Sequence, residues 1–335
     1  MTSPMPRPEN VRNIAVMGAG GLGRAMARLL DRKSSMRLTA VCDTAGFAVR
    51  PAGITGDEMN ALPPGATVRD LMEIGEASDD GIGALLARHE DIDGIFLALP
   101  NLPNEFIPGV IDRIAASGFR GVVVDALKRT RAVEQVMTRH EALRAAGITY
   151  VTGAGATPGL LTAAANLAAQ SFVEVEEVVV WFGVGIANWD AYRATVREDI
   201  AHLPGFDVAK VKAMTDAEVE AELDRRNGLL ELHDMEHADD VLLELAGVLP
   251  RARVKVGGLV NTRDAKKPVS THVRVTGVTF EGKRGTHVFT LADEASMAAN
   301  VNGPALGYMN AAMWLNGQGI AGVFTSADLM PKFPA

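Results

Sequence analysis

Three glycines near the amino terminus have the spacing of a loop that binds nucleotide phosphates. Gly18, Gly20 and Gly23 follow a short apolar run and open a segment with helical periodicity, VMGAGGLGRAMARLL. In such a loop the first glycine permits a tight turn, the second lets the backbone approach a pyrophosphate, and the third lets the helix pack on the strand. The amino end of the helix adds unpaired N–H groups and the positive end of its dipole. We predict that this loop, with Gly21 and Leu22, binds a dinucleotide.

Asp43 indicates which dinucleotide to expect. It lies twenty positions after Gly23, at the end of the second apolar run. A carboxylate there can accept hydrogen bonds from the ribose hydroxyls and would repel a 2′-phosphate. The next cation along the chain is Arg50, seven residues further on. The sequence therefore favours NAD(H) as the cofactor, with NADP(H) as the second candidate.

A second glycine-rich turn, GAGATPGLLT at 153–162, precedes another apolar helical segment. Thr157 suits a helix N-cap and Pro158 suits the first helical position, so the turn can aim N–H groups at an anion. In an open α/β sheet, ligands bind where such loops leave the strands. A plain capped helix after a tight turn would explain the same residues.

Four ionisable side chains are candidates for the chemistry. Lys128 follows the run GVVVDAL and could donate a proton or anchor a carboxylate, or could be a solvated cation at a helix start. His272 shares one face of a strand with Ser270, Arg274 and Thr276, and it is the other candidate general acid.

Arg193 and Arg197 are four residues apart and share a helix face, so they could clamp a substrate carboxylate. The alternative is a surface helix held to the core by its aromatic residues. His233 and His237 have a similar spacing in ELHDMEHADD, but the H-E-x-x-H order is missing. We predict a solvated acidic face there and no metal site.

The elements that must position these residues alternate between strand and helix in the first half of the chain. Five apolar runs, each followed by a helical pattern, are NIAVMG (13–18), LTAVCD (38–43), DGIFLALP (93–100), GVVVDAL (121–127) and ITYVTGAGA (148–156). Strands joined by helical crossovers are parallel, and strands apolar on both faces are buried. We predict an α/β fold, a Rossmann-type doubly wound parallel sheet with an inserted α+β substrate and dimerisation domain. The boundaries are 1–158, 159–295 and 296–335, the last a helical segment returning to the first domain.

Composition limits the classes of function. The chain has 335 residues, a net charge of −8 and dispersed cations, which argues against a nucleic-acid partner. No apolar run is long enough for a membrane helix, and the single cysteine, Cys42, excludes an internal disulfide. We expect a cytoplasmic protein, a small-molecule substrate and a homodimer.

Four segments resemble the saccharopine dehydrogenase-like oxidoreductase family, which includes relatives of carboxynorspermidine dehydrogenase. They are VMGAGGLG, LALPN, the turn at 155–159 and the carboxyl-terminal LNGQGIAGVFTSADLMP. The resemblance implies reductive condensation of an amine with a carbonyl, or its reverse. It also implies that certain residues lie near the nicotinamide: Pro100, Asn101, Gly155, Ala156, Pro158 and Gly159.

From these features we expect an NAD(P)-dependent oxidoreductase that transfers hydride at a C–N or carbonyl centre of a small amino-acid-like substrate. Lys128 or His272 would supply the proton, and Arg193 and Arg197 would bind the substrate. The alternative is a non-catalytic dinucleotide-binding sensor or scaffold, because the sequence contains no clear acid–base constellation. A homospermidine synthase-like enzyme that uses NAD without net turnover is a third reading.

Overall fold

The computed structural model describes residues 11–63, 65–100, 103–186 and 189–335. These residues divide into two compact units. The first runs to Leu160 and resumes over Ala298–Ala335, and the second is Leu161–Met297.

The first unit is built on an eight-stranded sheet. Its strands are β1 (Arg12–Met17), β2 (Met36–Cys42), β3 (Gly46–Val49), β4 (Gly75–Ala77), β5 (Gly94–Leu97), β6 (Val122–Asp125), β7 (Thr149–Thr152) and β13 (Gly322–Thr325). They lie in the order β13-β7-β6-β5-β1-β2-β3-β4. The first six in this order pair in parallel, whereas β3 and β4 are antiparallel additions at one edge. Because the central strands are largely buried, they need the continuous apolar runs seen in the sequence.

Helices surround this sheet. They are α1 (Gly21–Leu30), α2 (Gly56–Ala61), α3 (Gly81–Leu86), α4 (Phe106–Ala116), α5 (Thr130–Met137), α6 (His140–Ala146) and the long α12 (Met297–Gly317). Thr55 and Glu58 form a capping box that starts α2. The helix α12 contributes fully buried Leu306, Tyr308 and Met309 to the core, so a segment distant in sequence completes the first unit.

The second unit has its own sheet and core. Its strands are β8 (Glu174–Gly185), β9 (Leu229–Leu232), β10 (Val254–Asn261), β11 (His272–Val278) and β12 (Arg284–Thr290), in the order β12-β11-β8-β10-β9. Only β8 and β10 pair in parallel. Its helices are α7 (Leu160–Ala169), α8 (Arg193–Ala201), α9 (Val208–Ala213), α10 (Asp216–Arg225) and α11 (Asp239–Leu245). A cluster that includes Val196, Ile200 and Leu223 packs the helices on this sheet.

The predicted fold class is confirmed: the chain is an α/β protein with a mainly parallel sheet and a second sheet domain. Two details differ. The segment GLLELHDMEHADDVLLELAG at 228–247 has a sequence pattern that predicts one helix, but it contains the strand β9 followed by a separate α11. Strands β3, β4 and β13 were not predicted. Among the described residues, no helix combines the length and apolar character needed to cross a membrane.

Candidate functional site

The glycine loop joins β1 to α1 with the predicted backbone. Gly18 has a φ of +109°, and a Cβ there would collide with the carbonyl oxygen of Ala98. A Cβ on Gly23 would collide with the carbonyl oxygen of Gly18, so this glycine lets the helix pack closely. Among the described residues, apart from the immediate chain neighbours and the helix's own backbone, no atom lies within 4 Å of a Cβ placed on Gly20 or Gly21, and no described side chain caps the amino end of α1. The loop therefore leaves helix N–H groups accessible to a ligand.

Asp43 does not fit the role predicted for it. Its Oδ1 accepts hydrogen bonds from the backbone N–H groups of Ala45 and Gly46, at 2.9 and 3.1 Å. Its Oδ2 accepts one from Val68 N–H at 2.7 Å. Both carboxylate oxygens thus hold the β2–β3 turn and the segment before β4, and neither is directed to a ribose. Asp43 is therefore not placed to bind the adenosine ribose of NAD(H), the role predicted for it.

Asp125 is the centre of a buried network at the carboxyl end of β6. Its Oδ1 accepts hydrogen bonds from the N–H groups of Leu127 and Gly153, at 2.9 and 2.7 Å, and from the Thr152 hydroxyl at 3.2 Å. Its Oδ2 accepts a 2.5 Å hydrogen bond from the Tyr150 hydroxyl. The side chain is fully buried, and burial raises the pKa of this carboxyl group above its usual value. A single side chain thus joins the loops that leave β6 and β7.

Lys128 lies in the first of these loops, between β6 and α5, and is half-buried. The hydrogen bond from Leu127 to Asp125 fixes the backbone one residue before it. Sequence analysis noted Asp125 only as a strand end. The signal that could have found it is an acidic residue closing an otherwise apolar, buried strand.

The turn at 155–159 differs from the predicted helix start. The helix α7 begins at Leu160, so Thr157 is not its N-cap and Pro158 is not its first residue. Gly159 has a φ of +132°, and a Cβ there would collide with the backbone of Gly155, so the chain doubles back before the helix. The Tyr308 hydroxyl, on α12, lies 3.3 Å from the carbonyl oxygen of Gly159. The turn is therefore held by the core of the first unit.

Asn302 of α12 contacts the glycine loop, and sequence analysis did not single it out. Its Nδ2 donates a 3.0 Å hydrogen bond to the carbonyl oxygen of Leu22, in the first turn of α1. Its Oδ1 is buried and accepts no hydrogen bond from the part of the chain that the structure describes. Buried polar atoms are normally satisfied, so this oxygen is available to a donor group of a ligand.

Several predicted residues thus meet along one edge of the first sheet. The loops after β1, β5, β6 and β7 all leave the carboxyl ends of neighbouring parallel strands. They carry Gly18 to Gly23, Pro100, Lys128 and the turn at 155–159. Asn101 lies outside the described residues. The carboxyl edge is where ligands bind in open α/β sheets.

The arginine pair predicted to bind substrate belongs to the second unit and contacts Asp216. The Nη2 of Arg197 lies 2.7 Å from Oδ1 of Asp216, and its Nη1 donates to the carbonyl oxygens of Val211 and Met214. Arg193 also pairs with Asp216, and its guanidinium lies over the Trp189 ring. These contacts favour the alternative of a helix held to its neighbours.

Three histidines of the second unit lie in different settings. His272 begins β11, is half-buried, and its Nδ1 lies 3.1 Å from the carbonyl oxygen of Ser270. His233 is exposed and contacts Glu231. The predicted solvated acidic face was wrong for His237, which is buried beside Asp239, because this segment is not helical. In the described ranges, no three metal-ligating side chains are placed to hold a metal ion.

The fold is that of a Rossmann-type α/β protein. A comparison with models of protein families found no match. A curated protein from Haloferax mediterranei, (S)-8-amino-7-oxononanoate synthase BioU, is 46% identical over 96% of this chain and 99% of its own length. The chain therefore belongs to the (S)-8-amino-7-oxononanoate synthase BioU family.

Two dehydrogenases of known structure have a similar fold. C. glutamicum DAP dehydrogenase in complex with DAP has a TM-score of 0.56 at 17% identity and covers 95% of this chain and 94% of its own. Apo saccharopine dehydrogenase (L-Glu forming) from Saccharomyces cerevisiae has a TM-score of 0.54 at 12% identity, with coverage of 95% and 94%. At such identities the likeness establishes the fold alone.

These findings correct the functional predictions. Assignment to the saccharopine dehydrogenase-like family was wrong, because the close relative is a synthase of another family. The NAD(P)-dependent oxidoreductase activity was wrong for the same reason. The prediction of NAD(H), or else NADP(H), was also wrong, because it depended on that family and on a role for Asp43 that its contacts exclude. The non-catalytic alternative is set aside too, since the chain is an enzyme.

Proposed function

We propose that this protein has the activity named for its relative and forms (S)-8-amino-7-oxononanoate. The observation that carries the proposal is 46% identity over nearly the full length of both chains. Because the match covers both units, it includes the carboxyl-edge site as well as the scaffold. The proposed activity is inferred from the family and not from the fold, because the same fold supports many different reactions.

The product named has three polar groups that a site must recognise. They are a carboxylate, a ketone at C7 and an amine at C8. The carboxyl edge of the first sheet has suitable partners, because the amino end of α1 has N–H donors for an anion or a carbonyl oxygen. The buried Oδ1 of Asn302 is an acceptor for an N–H donor. Lys128 adds a cation to the same edge.

Lys128 is proposed to donate a proton at this site. The hydrogen bond from Leu127 N–H to Asp125 fixes the backbone just before Lys128, and Lys128 itself is half-buried. An ammonium group can give up a proton, whereas a guanidinium stays charged. Lys128→Arg therefore separates proton donation from simple anchoring of a carboxylate.

The test begins with the ligand itself. Isothermal titration of 8-amino-7-oxononanoate into the purified protein should show saturable binding. Expression in a bacterial strain that lacks its own 8-amino-7-oxononanoate synthase should then yield the compound, detected by mass spectrometry. A strain with the empty vector is the control. A folded protein that neither binds nor forms the compound would contradict the proposed function.

The same strain tests the role of Lys128. Lys128→Gln and Lys128→Arg should both lower product formation by about 100-fold or more, the usual size of a general acid contribution. Equal folding of the variants is checked by circular dichroism. Full activity in Lys128→Arg would assign the residue to carboxylate anchoring instead.

The compartment and the assembly state remain part of the proposal. Cys42 is the only cysteine of the chain, and it is buried, as suits a reducing cytoplasm. A homodimer is proposed on the structural grounds given below.

A further inference from the structure

The first turn of α1 is in contact with a buried side-chain amide from α12. The Nδ2 atom of Asn302 donates its 3.0 Å hydrogen bond to the carbonyl oxygen of Leu22, and Asn302 is 1% exposed. A carbonyl oxygen needs a donor, so this contact assigns Nδ2 to the Leu22 side and leaves Oδ1 for another partner. Among the described residues, no group donates a hydrogen bond to Oδ1. The two amide atoms are bonded to one carbon, so this unpaired acceptor also lies beside the first turn of α1.

Open space adjoins the contact on both helices. Apart from chain neighbours and the helix backbone, no atom of the described residues lies within 4 Å of a Cβ placed on Gly20 or Gly21, at the start of α1. The same holds for Gly303, which follows Asn302 in α12. Val301 and Gly303 are half-buried, so Asn302 lies where the core meets the surface. A small ligand can therefore be accommodated next to the amide.

The start of α12 also meets the other loops of the carboxyl edge. A Cβ placed on Gly155 would lie 3.4 Å from Cγ1 of Val301 and 3.4 Å from the Cβ of Ala126. Ala126 belongs to the loop after β6 and precedes Lys128 by two residues. Asn302 and its neighbour thus contact the loop after β1 and the turn after β7. The unpaired oxygen belongs to the same edge as the proposed substrate site.

A donor and an acceptor side by side match an α-amino ketone. The N–H groups at the amino end of α1 are donors, and Oδ1 of Asn302 is an acceptor. In 8-amino-7-oxononanoate, the C7 ketone oxygen is an acceptor and the C8 amine, on the adjacent carbon, is a donor. The carboxylate of the compound only accepts hydrogen bonds. The amine is therefore the group of this compound that can satisfy Oδ1.

We propose that Asn302 determines specificity by accepting a hydrogen bond from the C8 amine of 8-amino-7-oxononanoate. The N–H groups at the amino end of α1 bind the C7 ketone oxygen at the same time. This inference rests on the proposed function. Binding of the amine completes the hydrogen bonds of the buried amide, which a ketone without the amine leaves unpaired. The site thereby selects an α-amino ketone over a simple ketone of the same chain length.

Titration calorimetry with a pair of ligands tests the role of Asn302. The compounds 8-amino-7-oxononanoate and 7-oxononanoate differ only in the C8 amine. The full-length wild-type protein should bind the first about 10-fold or more tightly than the second, because a hydrogen bond to a charged amine is lost. Asn302→Leu should bind the amine-bearing compound about 10-fold or more weakly than the wild type. Its Kd for 7-oxononanoate should change by less than about threefold, since that ligand makes no bond to Oδ1.

Two further variants serve as controls. Asn302→Asp keeps an acceptor oxygen and should retain the preference for the amine-bearing compound. Asn310→Leu is the matched control on the same helix. The Nδ2 of Asn310 lies 3.2 and 3.4 Å from the carbonyl oxygens of Lys332 and Phe333, so its replacement should leave both Kd values unchanged. Circular dichroism and thermal unfolding check that each variant is folded.

A third ligand tests the part assigned to α1. The compound 8-aminononanoate lacks only the ketone oxygen, and the wild-type protein should bind it about threefold to 10-fold more weakly than 8-amino-7-oxononanoate. Asn302→Leu should weaken binding of 8-aminononanoate further, because the amine is still present. Equal affinity of the wild type for these two amines would overturn the assignment of the ketone to α1.

The outcomes separate the inference from the proposed function. If the wild-type protein forms 8-amino-7-oxononanoate but binds it no more tightly than 7-oxononanoate, the inference alone is overturned, whatever the variants do. A folded Asn302→Leu variant with the wild-type preference overturns it as well. If the protein neither binds nor forms 8-amino-7-oxononanoate, the proposed function fails and the inference falls with it. Loss of the preference in Asn302→Leu, with the preference kept in Asn302→Asp and Asn310→Leu, supports both.

Discussion

Asp125 shows how one buried side chain can organise a ligand-binding edge. It accepts hydrogen bonds from the residues after β6 and β7, and so determines where both loops begin. Asparagine at this position could keep the bonds from Leu127 and Gly153 through Oδ1 and donate to the Tyr150 oxygen through Nδ2. Asp125→Asn therefore removes the charge while preserving the geometry.

The charge on Asp125 predicts a pH-dependent stability. Its pKa is raised above the ordinary 3.8 because burial penalises the carboxylate. The folded state then binds this proton more tightly than the unfolded chain, and the resulting stability is present below pH 3.8 and is lost as pH rises through the folded-state pKa. The Tm of Asp125→Asn minus that of the wild type should become more positive as pH increases across this window.

Thermal unfolding of both proteins in a series of buffers measures this difference. Tyr150→Phe is the companion variant, because it removes the hydrogen bond to Oδ2 and should lower Tm across the range. If the Tm difference between Asp125→Asn and the wild type instead becomes smaller as pH rises, the hydrogen bonds to Asp125 outweigh its burial and hold its pKa low.

Among the elements, the three short helices α8, α9 and α10 are joined by Arg197. Its guanidinium donates 2.9 Å hydrogen bonds to the last carbonyls of α9, from Val211 and Met214, and pairs with Asp216 at the start of α10. Helix carbonyls at a carboxyl end lack partners within the helix, so this guanidinium satisfies them. Arg197, predicted to bind substrate, thus makes contacts that hold the three helices together.

Arg197→Met should therefore destabilise the fold. It keeps the length of the side chain but loses three hydrogen bonds, and we expect a loss of about 2 kcal/mol in the free energy of unfolding. Arg193→Met is the matched control; its side chain is 50% exposed, and we expect a change below about 0.5 kcal/mol. Urea unfolding measures both. If Arg197→Met leaves the free energy of unfolding unchanged but weakens binding of 8-amino-7-oxononanoate, the predicted role of Arg197 in binding substrate would be supported instead.

The elements also show how far sequence reasoning reaches. Long apolar runs alternating with helical periodicity predicted β1, β2, β5, β6 and β7 and their parallel orientation, because both depend on local patterns. The direction of a side chain, in contrast, does not depend on local patterns. Asp43 has the position of a ribose ligand but accepts hydrogen bonds from nearby backbone, and His237 is buried beside Asp239, which in turn accepts a hydrogen bond from Thr162, far away in the sequence. The carboxyl-edge location was predictable, whereas the networks around Asp125 and Asp239 were not.

At the scale of the whole molecule, the second sheet has an exposed edge strand. β12 pairs with β11 on one side, and on its other side it meets no strand of the described residues. It exposes Val288 and Phe289, at 58% and 43%, and the preceding turn exposes Phe280 at 82%. Natural proteins usually cover or charge such an edge to prevent uncontrolled pairing. Apolar residues gathered on an open edge are typical of an interaction surface.

We propose that a second copy of this chain covers the β12 edge, because two identical edges can pair antiparallel about a two-fold axis. Light scattering after size exclusion should give a mass near twice 35.4 kDa. Val288→Lys places a charge on the edge and should give the monomer mass instead. Leu245→Lys is the matched control, since Leu245 is 52% exposed on α11 and is not part of β12. A wild-type protein at 35.4 kDa, or a Val288→Lys variant that stays dimeric, would assign this edge no role in assembly.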